Sequence, residues 1–193
     1  MVNHILITVI FSVFVIGCQH PEKGMNKKRF QSQIVGEWES LTIEKNATSF
    51  GFRELELTDK RWSLQLTIFG DSTGNSPLFR LELTGPYEIT APSAKMMGSF
   101  DGTYFIEKQY LTVFTENNAI LASLGFKECG ISKGTRTDVS SGCSFIKPIA
   151  KCPADYDLVT IRDGLLYAGK RTENMCVPSG RPIEHGYPLK RRS

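Results

Sequence analysis

Cysteines, histidines and carboxylates are the residues of this 193-residue chain that could do chemistry, and the cysteines have the most telling spacing. Cys129, Cys143, Cys152 and Cys176 offer either metal ligation or two disulfides. No C-x2-C pair exists, and His4, His20 and His185 lie outside the stretch with a core-forming pattern, so disulfides are expected and a metal is not. Four cysteines allow three pairings. Cys129–Cys143 and Cys152–Cys176 are preferred because each closes a short loop rich in turn formers, a span at which a bridge contributes about 3 kcal/mol. Catalysis finds no such foothold. There is no G-x-S-x-G, H-E-x-x-H, P-loop or dinucleotide fingerprint. Glu37, Glu39 and Asp101 could act as paired carboxylates, but such residues are more often solvated strand faces and turn formers. No nucleophile has a base marked out beside it. The expectation is a binding module, without catalytic residues or cofactor; a buried carboxylate pair with shifted pKa in a cleft would revive an enzyme.

Binding would instead use apolar surface. Trp38, Phe52, Trp62, Leu64, Leu66, Phe79, Leu81, Tyr87 and Tyr104 are candidates to line a concave interior. Each taken singly reads as core; as a set they suit the inside of a cup that holds one apolar ligand. Arg53 could meet a ligand carboxylate at the mouth, with a structural salt bridge as the equal alternative.

The elements that must position these residues are strands. From Ile34 to about Phe114 side chains alternate with period 2: Trp62, Leu64, Leu66 and Ile68 share one face, Phe79, Leu81 and Leu83 another, Leu55 and Leu57 a third. Such strands are wet on one side and apolar on the other. Turns are expected at Asp59-Lys60, at 70–75, at Gly85-Pro86, at Asp101-Gly102 and at Asp163-Gly164. One short helix is expected from Asn117 to Leu124, capped by Asn117 or Asn118 and ended by Gly125. Strands resume at 143–149, 156–162 and 165–169. The fold class is therefore mainly β: an antiparallel, closed or half-closed, calycin-like barrel with one short helix and disulfide staples, a sandwich being the alternative. Residues 34–176 form this domain. Residues 18–33, polar and basic, read as a tether, and 177–193 as an irregular basic tail.

The chain begins with an apolar run, Ile5 to Ile16, of the length of a secretory h-region and short for a bilayer span. It ends in Val15-Ile16-Gly17-Cys18, which resembles the lipobox of bacterial lipoproteins. The resemblance implies removal of residues 1–17 and acylation, palmitate included, of Cys18. It also explains an odd cysteine count, and Gln19 in place of Asp points to the outer membrane. A net charge of +3, with Lys23, Lys27, Lys28, Arg29 and Lys190, Arg191, Arg192 at the two ends, suits solvated tails near an anionic membrane and argues against nucleic acid.

Across 34–171 an ordered set of short stretches resembles the Wnt-antagonist family named "adenomatosis polyposis coli down-regulated". The set comprises Gly36-Glu37-Trp38-Glu39-Ser40, Phe50-Gly51-Phe52-Arg53, Trp62, Pro77-Leu78-Phe79, Gly85-Pro86-Tyr87, Met97-Gly98, Leu121-Ala122-Ser123-Leu124, Cys129-Gly130, Asp138-Val139, Gly142-Cys143, Asp155-Tyr156-Asp157 and Leu165-Leu166-Tyr167-Ala168-Gly169-Lys170-Arg171. The resemblance implies a β-rich cup able to take an acyl chain, and it supports Cys129–Cys143 as one bridge. The family's early cysteine pair is missing here, replaced around Thr42-Ile43 and Gly74-Asn75. A bacterial lipoprotein, as the lipobox implies, has no Wnt partner, so ligand identity does not carry over. The reading is an exported, membrane-anchored lipoprotein that binds a fatty-acyl or similar apolar ligand. The alternative is an envelope protein-interaction module with a filled barrel.

Overall fold

The structure, a computed structural model, describes residues 26–46, 49–172 and 174–192. The proposed leader, Cys18 and most of the tether lie outside them. Eight strands close an antiparallel barrel: β1 (Gly36–Ser40), β3 (Phe50–Leu57), β4 (Arg61–Phe69), β5 (Pro77–Pro92), β6 (Phe100–Phe105), β9 (Ala154–Arg162), β10 (Leu165–Gly169) and β11 (His185–Arg191). Pairing of β1 with β11, Trp38 opposite Arg191, completes the circle. The alternating leucines lie where the period placed them: Leu55, Leu64 and Leu83 sit side by side across β3, β4 and β5.

Two segments expected to be loose are built into the barrel. Lys27–Ile34 is a helix, α1, not part of a tether. Asn26 caps it by accepting a bond from the Lys28 N–H at 3.0 Å, and Phe30 and Ile34, one turn apart, are buried. This helix covers one end of the barrel, where Phe30 stacks on Phe100 with centroids 4.2 Å apart. The supposed basic tail contains β11, the strand that closes the barrel. Its signal was masked by Pro188 and the flanking charges, although Leu189 is fully buried.

Two of the expected turns lie inside strands. Gly85-Pro86 lies within β5. Strand β6 and the following β7 (Lys108–Val113) both pair with one side of β5, as one strand broken at 106–107. A Cβ at Gly85 would run into the Phe105 carbonyl at that break. The Tyr87 N–H points to β4, bonding Lys60 O, so the missing N–H of Pro86 falls on the broken side, where a strand proline is tolerated. Asp101-Gly102 lies within β6, and Gly102 makes room for the Tyr104 ring, 2.9 Å from where its Cβ would be.

The remaining strands are short: β2 (Glu44–Lys45) edges β3, and β8 (Thr137–Asp138) edges β7. The ends of β4 and β5 and all of β7 run beyond the barrel and carry a second core. Phe79, Leu111 and Val113 there are covered by residues 115–149, which include helix α2 (Asn118–Ser123), capped by Asn117 as expected. Residues 143–149 are not a strand. Positive φ at Gly142 (91°) and Ser144 (53°) turns them into a tight bend. Both expected disulfides are formed: Cys129–Cys143 staples this second layer, and Cys152–Cys176 ties the 170–184 connection to the barrel wall. No helix among the described residues is long and apolar enough to cross a membrane.

Candidate functional site

The ten residues nominated for ligand contact do not form one pocket. Trp38, Trp62, Tyr87 and Tyr104 are 2%, 4%, 4% and 8% exposed and form the barrel core with Leu64 packed against them. Phe79 and Leu81 belong to the second core. Leu66 shares the inner face between the two, in register with Leu81. Phe52 lies on the opposite face of β3 from Leu55 and Leu57, so it is outside the cup, half-buried. Arg53 is taken by structure: its Nε donates to Glu44 Oε1 at 2.8 Å, and a terminal nitrogen donates to Tyr187 O at 2.8 Å. Ser40 Oγ completes this cluster, donating to the same Glu44 oxygen and accepting from the Arg53 N–H.

Aromatic rings and polar anchors fill the barrel. Trp62 meets Tyr104 edge-on at 5.3 Å, and Tyr104 stacks with Tyr87 at 5.8 Å. Trp38 donates to Ile34 O, Trp62 to Phe105 O and Tyr87 to Thr58 O, at 2.8, 2.9 and 2.8 Å, so these polar tips are satisfied within the protein. Two hollows lie on the outside of the barrel. One, about 200 Å³, lies over β1, β3 and β4 and is lined by Trp38 and Leu55 together with Glu37, Glu54, Glu56, Ser63, Gln65 and Arg192; the other, about 190 Å³, lies beside Lys170, Arg171, Thr172, Ile183 and Glu184.

The structure also assembles two polar groups that no sequence spacing announced. Asp155 and Asp157, two apart on β9, share a face and stand opposite Tyr104 and Gly102. Arg171 holds Asp155 through both terminal nitrogens. Asp157 Oδ1 accepts from the N–H groups of Leu158 and Gly169, at 2.6 and 2.8 Å. Burial, and then the charge of Asp155, push the Asp157 carboxyl up to about 7. The same burial, with Asp157 next in effect, raises the Tyr104 hydroxyl. In this buried carboxylate pair the shift belongs to Asp157; the pair faces inward beside Tyr104, and neither hollow is lined by it. On the outer side of the same seam Arg181, 9% exposed, donates to Gly102 O, to Asp157 O at 2.6 Å and to Thr103 Oγ1 at 3.0 Å, clamping β6 to β9.

The second group joins Ser99, Thr160 and His185. Thr160 donates to Ser99 Oγ at 2.6 Å, and His185 Nε2 lies 3.2 and 3.1 Å from the two hydroxyls. Burial, and then Arg162, lower the His185 pKa. A hydroxyl beside an imidazole is the geometry of an activated nucleophile. Here Ser99 is 2% exposed and neither hollow reaches it, so the group ties β9 and β11 to the 93–99 loop. His185 therefore belongs to the barrel wall and not to a loose tail. No cluster of three or more potential metal ligands occurs among the described residues.

The exposed feature with the firmest support is Phe145, 56% exposed. It follows the positive-φ Ser144, whose hydroxyl donates to Leu124 O at 2.8 Å, and the bridged Cys143. Its ring lies 5.9 Å from Phe79 and 5.4 Å from Phe126. The second core thus ends in a rigidly held surface aromatic. No family model matches the chain, and no curated protein matches it.

Proposed function

We propose that the chain is an exported lipoprotein, anchored through Cys18, whose barrel is a rigid interaction module of the cell envelope. The observation that supports this reading is the buried aromatic cluster inside the barrel: Phe30, Trp38, Trp62, Tyr87, Phe100 and Tyr104 pack against one another there and are all buried. A partner would then dock on the outside, and Phe145 has the properties of an anchor, a large aromatic held in one place at little entropic cost. The two disulfides suit an oxidising, exported setting. The test is site-specific photocrosslinking in the host, with the crosslinker replacing Phe145 and, as a control, Lys133. One discrete adduct from position 145 alone supports the module; none from 145, or equal adducts from both, removes Phe145 as its anchor.

Acyl-chain binding, the activity implied by the resemblance to the Wnt-antagonist family, remains as a second reading because of α1. Phe30 and Ile34 are the buried side chains of this helix in the barrel mouth, and Arg191 and Trp38 hold the carbonyls of Gln33 and Ile34 at its C-terminal end. Withdrawing Phe30 and Ile34 would forfeit about 3–6 kcal/mol at roughly 1.5–3 kcal/mol each, and a palmitoyl chain buries methylenes at about 0.8 kcal/mol apiece. A long chain could therefore displace the plug. Phe30→Ala should then bind palmitate more tightly than the parent protein; unchanged or undetectable binding in both would remove this reading.

A further inference from the structure

The closed end of the barrel gathers positive charge from four separate stretches of sequence. Lys27, Lys28 and Arg29 lie exposed on the first turn of α1. Gln31 of the same helix donates to Asp59 O at 3.2 Å, which brings the β3–β4 hairpin and Lys60 to this end. Phe30 stacks on Phe100, whose β9 partner Val159 leads into the hairpin bearing Arg162. Arg191 donates to Gln33 O and Val35 O, bringing Lys190 and Arg192 alongside. Acids at this end are Asp59 and Asp163 in the two hairpins, Glu37 and Glu56, which face each other across β1 and β3, and Glu39 and Glu54 beside them on the same wall. Lys190 and Arg192 are paired with the last two. Lys27, Lys28, Arg29, Lys60 and Arg162 take part in no ion pair among the described residues. Two clusters that look in sequence like separate solvated tails are thus parts of one folded face.

We propose that this face rests on an anionic phospholipid surface, with the barrel axis pointing away from the membrane and the Phe145 layer outermost. The occupant follows from charge and from chain geometry. Several unpaired cations close together are attracted to acidic headgroups, at roughly 1 kcal/mol per basic residue. The orientation rests on the proposed lipidation: only seven residues lie between Cys18 and Asn26, the N-cap of α1, so eight Cα-to-Cα steps give a reach of at most about 28 Å. An acyl chain at Cys18 would therefore hold the α1 end, and not the opposite end, against the headgroups.

The experiment uses residues 19–193, which contain every barrel strand, both cores and both disulfides and carry no acyl chain. Co-sedimentation is measured with neutral phosphatidylcholine vesicles and with vesicles containing a quarter phosphatidylglycerol. Binding to the acidic vesicles alone is expected, falling as salt rises. Lys27→Gln/Lys28→Gln/Arg29→Gln should weaken it at least tenfold with the thermal melt unchanged. Lys127→Gln/Lys133→Gln, on the far layer, should leave it within twofold. No preference for acidic vesicles, equal losses from both variants, or full competition by millimolar inorganic phosphate would each overturn the proposal. Intact mass of the processed full-length protein reports Cys18 acylation separately, so the failure of the anchor and the failure of the basic face are distinguishable.

Discussion

The Arg191 guanidinium lies over the Trp38 ring, 4.5 Å from its centroid, while its terminal nitrogens hold the carbonyl oxygens of Gln33 and Val35 at 2.7 and 3.0 Å. One side chain from the last strand thus fastens the first strand and the plug helix together. Trp38 completes the link by donating to Ile34 O. The two ends of the domain, far apart in sequence, are joined where the barrel closes.

Charge-assisted hydrogen bonds are worth about 1.5–3 kcal/mol and cation–π contacts about 0.5–2 kcal/mol. Arg191→Ala should therefore lose about 2–4 kcal/mol in urea denaturation. Lys cannot reproduce the planar fork, so Arg191→Lys should recover less than half of the loss. A full rescue by Lys would reduce the contact to simple charge.

Phe30→Ala should cost about 3–5 kcal/mol, as for buried phenylalanines elsewhere. The same measurement on Lys28→Ala, one helix face away, should show less than about 0.5 kcal/mol. If Phe30→Ala were equally harmless, α1 would not be part of the folded core.

The pH dependence of stability should carry the mark of Asp157. Below about pH 4 its carboxyl is protonated in both folded and unfolded chains, since the ordinary value is 3.8. Between about pH 4 and 7 the unfolded chain releases the proton and the barrel retains it, so this group's contribution to stability falls as pH rises. Asp157→Asn keeps an oxygen for the Leu158 and Gly169 N–H groups and has no proton to lose. It should melt a few degrees above the parent at pH 8 and show no such advantage at pH 4. A constant difference across the range would show that Asp157 does not titrate there.

Removing Cys129–Cys143 by paired serine substitution should act locally. The loss should be about 3 kcal/mol for a loop of this size. Hydrogen exchange should rise in 115–149 while the amides of β4, β6 and β9 keep their protection. Uniform deprotection would mean that the two cores unfold as one unit.

Period-2 alternation made β3, β4 and the first half of β5 legible, because their outer faces are wet and their inner faces apolar. The cysteine pairings were legible from loop length. Where one residue served two purposes the pattern failed. Gly85 and Gly102 look like turn residues but are strand positions cleared for a carbonyl and for the Tyr104 ring. Pro188 and the charges around Leu189 hid the closing strand. Phe30 and Ile34 gave two apolar positions in a polar stretch, too few to reveal a helix without the barrel mouth that buries them. Trp38, Trp62, Tyr87 and Tyr104 face inward as expected, while Phe52 faces outward and Phe79 belongs to the second core. Whether the inward four line a cavity or fill it is decided by that helix, which had been read as tether.

Native mass spectrometry of the oxidised domain, purified from an exporting host and extracted for bound lipid, tests the filled barrel most directly. The expected result is the bare polypeptide mass with two disulfides, unchanged by added palmitate. A stoichiometric fatty acid or phospholipid, seated in a barrel from which α1 has withdrawn, would contradict it.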